Sequence, residues 1–370
     1  MTKARTSLRS VLTAAVFILI IGGFFILNRA VATPETLVSE RRKPAAFPEL
    51  TVKTLLNAEF MGGFDDYAAD SFAFRDALRT VRAFSVFDIF MQTDKSGLYR
   101  DADVGAGKFG AVPEDAIRRT AAKIGAVAAT LDGLNVYVSV VPDKSGWAAR
   151  DYPGFDPDAA RAILGEELPG LTYIDVSEAL DGGSFYKTDL HWDQEKIVDV
   201  ATLLGRAMGS QPETQYTANT VGEFSGVYPG QLALPMAQDT ARYLTSDATS
   251  GAAVKYLDDK TLKWVDGEMY DLEAFSGRDP YDLFLRGAQA MITIENPSAT
   301  GGRELYLFRD SFGSSLAPLL VSAYSKITLI DLRYVDARAL PMLVEFKPGS
   351  DALFMYSSQI LGAPEILLAG

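Results

Sequence analysis

Tyr306-Leu-Phe-Arg309-Asp310-Ser311-Phe312-Gly313-Ser314 reads as an apolar strand that ends on a serine, followed by a glycine and the start of a helix. This order places the Ser311 hydroxyl at the carboxyl end of a strand, where open α/β sheets bind their ligands. The helix start adds free N–H groups and the positive end of the helix dipole, which suit a developing oxyanion. Ser and Asp are also common helix caps, so a purely capping role for Asp310 or Ser311 is open at this point.

The flanking chain repeats the alternation of strand and helix. Pro113 opens a helix with Ile117, Ala121, Ile124, Val127 and Leu131 at three- and four-residue steps, ended by Gly133. Leu134–Val141 is a β-branched run stopped by Pro142. Leu171–Asp175, Met291–Ile294, Glu304–Phe308, Lys326–Asp331 and Asp351–Ser357 read as further strands, and Ser314–Tyr324 as a helix. Ile197, Val200, Leu204 and Met208 mark another helix. The class is α/β with a mainly parallel sheet. Gln211–Gln289 reads as an insertion of short strands and long loops, and Gly97–Gly110 as loop. Upstream, Phe72, Phe74, Leu78, Phe84 and Phe87 are expected to form one packing surface in a helical stretch.

Composition narrows the chemistry. The 370 residues, 48% hydrophobic and 22% charged, exclude a disordered or collagen-like polymer and predict two domains or one elaborated one. With 35 basic and 48 acidic residues the formal charge is −13, so no nucleic-acid partner is expected. The absence of cysteine removes disulfides, thiolate metal sites and thiol nucleophiles together. One histidine, His191, excludes a multi-His metal centre, and no metal or cofactor is expected.

Between Arg9 and Arg29 lie 19 uncharged residues, enough to cross the roughly 30 Å hydrocarbon layer of a bilayer. Lys3, Arg5 and Arg9 precede them, as a cytoplasmic flank does. The span reads as a membrane anchor with the bulk of the chain outside the cell membrane. The alternative is a signal peptide cleaved after Ala30-Val31-Ala32. Beyond residue 32 the chain has 31 basic and 48 acidic residues, a net −17.

The second chemical segment is Tyr186-Lys187-Thr188-Asp189-Leu190-His191-Trp192. A serine hydroxyl needs an adjacent base, usually imidazole, and the imidazole needs a carboxylate to hold its tautomer. Asp189 stands two residues before His191, a spacing that lets carboxylate and ring meet on one side of a loop. A structural histidine beside a tryptophan is the alternative.

These segments, with Phe72-Ala-Phe74-Arg75, Val141-Pro142-Asp143-Lys144, Phe224-Ser-Gly226, Tyr281-Asp-Leu-Phe and Ile330-Asp331-Leu332-Arg333-Tyr334, occur in an order that resembles the DHHW family of bacterial envelope proteins. That family is similar to the SGNH-hydrolase-like alginate O-acetyltransferases of the AlgJ/AlgX type. The resemblance implies Ser311 as nucleophile, His191 as general base and Asp189 as its orienter. Where the family has Asp-His-His-Trp, this chain has Asp-Leu-His-Trp, which keeps the base. Where the family tends to Gly-Gly-Asn, it has Gly287-Ala288-Gln289, so an oxyanion donor at Gln289 would reach one methylene further. Lys144, Arg309, Gln289, Tyr186 and Trp192 form the candidate substrate-binding set. Lys144 and Arg309 have as an alternative a structural pairing with carboxylates.

The resemblance implies an SGNH-like three-layer α/β fold over 111–370, interrupted at about 211–289. A linker and helical lead-in over 33–110 and a tail and transmembrane anchor over 1–32 precede it. The implied activity is O-acyl transfer, with acetyl as the group, to hydroxyls of a surface polysaccharide, with a membrane-embedded acyltransferase as acyl donor. The alternatives are an esterase with the same triad and a non-catalytic scaffold of a polysaccharide-export assembly.

Overall fold

The computed structural model describes residues 8–30, 34–277, 279–299 and 301–369. Lys3, Arg5 and Val31–Thr33, which carry part of the cytoplasmic flank and of the cleavage-site reading, lie outside the described residues. The chain divides into two compact units: 1–92 with 229–235, and 93–228 with 236–370. The division falls at 92/93 rather than at 110/111, because residues 94–108 form strands that belong with the second unit.

The first unit contains the helices Leu8–Ala30, Glu59–Asp70 and Arg75–Phe84. The stretch Arg9–Asn28 is long and apolar enough to cross a membrane. The unit holds an ionic cluster: Arg75 Nη2 lies 2.6 Å from Glu40 Oε1, Arg79 Nη2 2.9 Å from the same oxygen, and Arg42 Nη1 2.6 Å from Asp70 Oδ2. Arg79 Nη2 also donates to the Gly230 carbonyl at 3.0 Å. Phe72, Phe74, Leu78 and Phe84 do not form the expected packing surface. The helix Arg75–Phe84 turns Arg75 and Arg79 inward to those carboxylates, so its apolar side faces out, and of the five only Phe87 is buried.

In the second unit β1 (Asp94–Lys95), β2 (Leu98–Asp101) and β3 (Gly105–Lys108) form a small antiparallel sheet where loop was expected. Then come β4 (Asn135–Val141), β5 (Thr172–Tyr173), the hairpin β6 (Thr217–Phe224) and β7 (Asp239–Thr245), β8 (Ala253–Leu257), β9 (Trp264–Gly267), β10 (Met291–Glu295), β11 (Glu304–Arg309), β12 (Lys326–Ile330) and β13 (Asp351–Ser357). The main sheet has the order β5-β4-β13-β11-β12-β10-β8-β9. Its first five strands are parallel, and β10, β8 and β9 extend it in antiparallel fashion. The 211–289 stretch is therefore only partly an excursion, since β8 and β9 complete the sheet.

The buried strands are near-continuous apolar runs, as a sheet covered on both faces requires. In β11, Leu305 and Leu307 face one core, with the helices Val198–Ala207 and Phe312–Leu320. Tyr306 and Phe308 face the other, with Glu114–Ala128 and Pro157–Glu167. The result is a three-layer mixed α/β fold. In the parallel register Arg309 pairs with Met355, and Ser357 with Val141, so the carboxyl ends of β4, β13 and β11 line one edge.

Candidate active site

Ser311 follows β11 and precedes the helix Phe312–Leu320. The turn is tight because residue 313 is glycine: a Cβ there would lie 2.6 Å from Arg309 Cβ. Asp310 takes the capping work. Its Oδ1 accepts the Phe312 N–H at 3.0 Å, and its Oδ2 accepts the Ser357 N–H at 2.8 Å, which ties the elbow to the end of β13. Ser311 makes no side-chain cap bond and stands half-buried at the turn. The Gly313 and Ser314 N–H groups bond back to Asp310 and Ser311 carbonyls, and the Ser311 N–H stays outside these bonds.

The Asp–His segment is a short hairpin. Phe185 and Trp192 form an antiparallel bridge, and Tyr186 N donates to His191 O at 3.0 Å. At its tip Asp189 Oδ1 lies 2.7 Å from His191 Nδ1 and also accepts the His191 backbone N–H at 3.1 Å. Asp189 Oδ2 accepts from Val227 N at 3.1 Å. His191 Nε2 lies 2.7 Å from Ser311 Oγ. Serine, imidazole and carboxylate thus stand in one line, with Asp189 and His191 buried and the hydroxyl reachable. Burial alone would raise the Asp189 carboxyl. The hydrogen bond and charge of His191, with the two backbone N–H groups, outweigh it and hold the carboxyl well below its ordinary range.

Lys144, expected to bind substrate, is buried beneath the hairpin, and its Nζ donates to the carbonyls of Tyr186 at 2.8 Å and Asp189 at 2.9 Å. Burial depresses its pKa to about 8, against the pull of Asp189, Asp143 and Asp239. Arg309 is fully buried below the elbow. It donates to the Gly287 and Asp310 carbonyls, each at 3.3 Å, and pairs with Asp331 at 3.6 Å. Trp192 is buried and donates its Nε1–H to Ser315 Oγ at 2.8 Å. Tyr186 is buried with its ring edge-on to Phe224, 4.9 Å between centroids. These four polar ends point into the protein, so their geometry is that of supports rather than substrate contacts. Gln289 Nε2 donates to the Arg286 carbonyl at 3.2 Å, within a loop whose residues Leu285, Arg286 and Gly287 all have φ between 52° and 69°. The Gln289 amide therefore bonds to its own loop.

Two aromatic side chains given no role in the sequence reading border the imidazole. Tyr281 stacks on it, with centroids 3.7 Å apart and planes 5° apart, and Phe312 covers it at 5.1 Å. Tyr281 Oη lies 2.7 Å from Ser315 Oγ, the same hydroxyl that Trp192 reaches. Burial pushes the Tyr281 phenol far up, so it stays protonated. Only the position of Tyr281 within a quoted motif hinted at it.

A DHHW family protein from Eubacterium siraeum superposes with a TM-score of 0.59 at 19% identity, covering 74% of this chain and 94% of that one. The chain has the fold of a DHHW family protein. PatB1 from Bacillus cereus gives the same TM-score at 16% identity, over 73% of this chain and 99% of that one. The O-acetyltransferase domain of Pseudomonas putida AlgJ gives 0.44 at 13% identity over 72% of this chain and 92% of that one. At such identities the likeness to DHHW and PatB1 structures is one of fold. The sequence matches no family model, and no curated protein matches it.

Proposed function

We propose that this protein is an envelope O-acyltransferase. It would transfer acetyl groups to hydroxyls of a surface polysaccharide through an acyl-enzyme on Ser311, held outside the cell membrane by its N-terminal helix. The observation that carries the reading is the Asp189–His191–Ser311 line, with 2.7 Å at each link, at the carboxyl end of β11. With Nδ1–H directed at Asp189, the neutral imidazole offers Nε2 to the Ser311 proton. As Oγ attacks the acyl carbonyl, Nε2 takes that proton, and Asp189 stabilises the imidazolium. We assign the developing oxyanion to the Ser311 N–H, with the positive end of the helix dipole behind it, since the Phe312, Gly313 and Ser314 N–H groups are bonded within the turn. His191 then gives the proton to the leaving group. An acceptor hydroxyl then attacks the acyl carbonyl, giving its proton to Nε2; the acyl–Oγ bond breaks and Nε2 returns the proton to Ser311 Oγ.

Transfer rather than hydrolysis is favoured by the sequence resemblance to polysaccharide O-acetyltransferases. An acyltransferase outside the membrane also needs a supply, because activated acyl thioesters are cytoplasmic and one apolar helix carries no acyl group across. A membrane-embedded acyltransferase is the partner this implies. The test offers the purified chain an activated acetyl ester with and without oligosaccharide. Acetyl transfer to sugar that outruns hydrolysis is the expected result. Hydrolysis without sugar product makes the protein an esterase, and no covalent acetyl under any donor leaves a scaffold.

A further inference from the structure

The first unit buries an ionic cluster and exposes many apolar side chains. Arg75, Arg79 and Ala83 form the inward side of the helix Arg75–Phe84, the two arginines meeting Glu40 and, for Arg75, Asp70. The opposite side runs Phe74, Ala77, Leu78, Val81 and Phe84, all exposed, over an arc of about 120° at 3.6 residues per turn. Ile89, Phe90 and Met91 continue it past the helix. Among the described residues, 16 exposed large apolar side chains lie between 34 and 92, against eight in the much longer second unit. A surface of this apolar density marks contact with lipid or with protein.

Contacts with the long apolar helix favour lipid. Phe24 lies within the Arg9–Asn28 span, and its ring stacks on Phe72 with centroids 5.3 Å apart. Asn28, at the end of that span, accepts the Ala73 backbone N–H on Oδ1 at 2.7 Å. These two contacts hold Phe74, and with it the start of the amphipathic helix, level with the end of the span. At that depth a bilayer gives way to headgroups, where an arginine-bearing amphipathic helix lies in the interface plane. Arg82 is exposed beside the apolar arc, within reach of headgroup phosphates.

We propose that the helix Arg75–Phe84 and the turn to Met91 form a second, interfacial membrane contact, with Phe74, Leu78, Val81 and Phe84 in lipid. This rests on the reading of Leu8–Ala30 as a retained membrane helix. The chain has no cysteine, so single-cysteine variants of the full chain report one site each. Leu78→Cys, Val81→Cys, Thr80→Cys and, within the span, Leu19→Cys are nitroxide-labelled in vesicles of phosphatidylethanolamine and phosphatidylglycerol. Collision with oxygen and with a water-soluble nickel chelate is then measured. Positions 78 and 81 should favour oxygen several-fold over nickel, as position 19 does, while position 80 favours nickel. With position 19 in lipid, nickel access at 78 and 81 equal to that at 80 would overturn the interfacial contact alone. Shielding of 78 and 81 from both collision partners would overturn it in favour of a protein cover. Nickel access at position 19 would remove the membrane helix itself, and the proposal with it.

Discussion

Lys144 holds the Tyr186 and Asp189 carbonyls of the hairpin that carries His191, and its burial makes it a pH-sensitive support. In the unfolded chain this lysine keeps its proton to about 10.5, whereas in the fold it releases it near 8. Between those values the unfolded state binds more protons, so the Lys144 contribution to stability rises with pH. Denaturation of wild type and Lys144→Met at pH 7 to 10 should show the wild type gaining about 2 kcal/mol on the variant across pH 8–10. A gap that shrinks or stays flat would contradict the burial account. Within the triad, Asp189→Asn leaves the ring without its charged orienter and should lower acyl-enzyme formation on the order of 10⁴-fold, as in other Ser-His-Asp sites. Ser311→Ala/His191→Ala should be no worse than either single change, which rapid-quench kinetics would check. Tyr281→Leu removes the stack on His191 and should cost roughly tenfold in kcat/KM, given about 0.5–1.5 kcal/mol for such a pair. Tyr281→Phe keeps the stack and should cost less, losing only the contact with Ser315.

At the scale of elements, the site depends on how closely the hairpin Phe185–Trp192 meets its neighbours. Gly226 gives its N–H to Thr188 Oγ1 at 2.8 Å, and a Cβ on it would fall on the Thr188 carbonyl and lie 2.5 Å from Asp189 Cβ. Gly226→Ala should therefore push Asp189 off its line to His191. A displacement near 1 Å costs on the order of 10² in rate, and a crystal structure of the variant would show the shift. The strands β4, β11, β12 and β13 were legible in the sequence because strands buried on both faces are unbroken apolar runs bounded by turn residues. The strand β3 was not, since Gly105-Ala-Gly107 carries no β-branched or aromatic signal and is ordered by contacts such as Ala106 N to the Lys187 carbonyl at 2.8 Å. Asp189 and His191 could be paired from their spacing. The stack of Tyr281 on His191 could not, because only the fold joins them. Arg75 and Arg79 show why the apolar stripe was misassigned: periodicity reveals that a helix has two faces, not which one the neighbours bury.

For the whole molecule, the N-terminal helix is tied into the first unit by the Phe24–Phe72 stack and the Asn28–Ala73 bond. A retained helix is therefore expected. The chain should remain in the membrane pellet after carbonate extraction, and its mature form should keep residues 8–30; a soluble product beginning at Thr33 would contradict this. Past that helix the chain carries a net −17, so general charge will not hold an anionic polymer. Lys144 and Arg309 are spent on internal bonds, and the Arg286 guanidinium pairs with Asp271 at 3.2 Å. Acceptor recognition is then expected to rest on hydroxyl and ring contacts, and a neutral glycan should compete for acetyl as well as an anionic one. In the proposed mechanism Ser311 carries the acyl group. Peptide mapping by mass spectrometry after brief exposure to an activated acetyl ester tests it most directly. One acetyl group on Ser311 is expected in the wild type, absent in Ser311→Ala and strongly reduced in His191→Ala. Acetylation that persists unchanged in Ser311→Ala, or that maps to another residue, would contradict it.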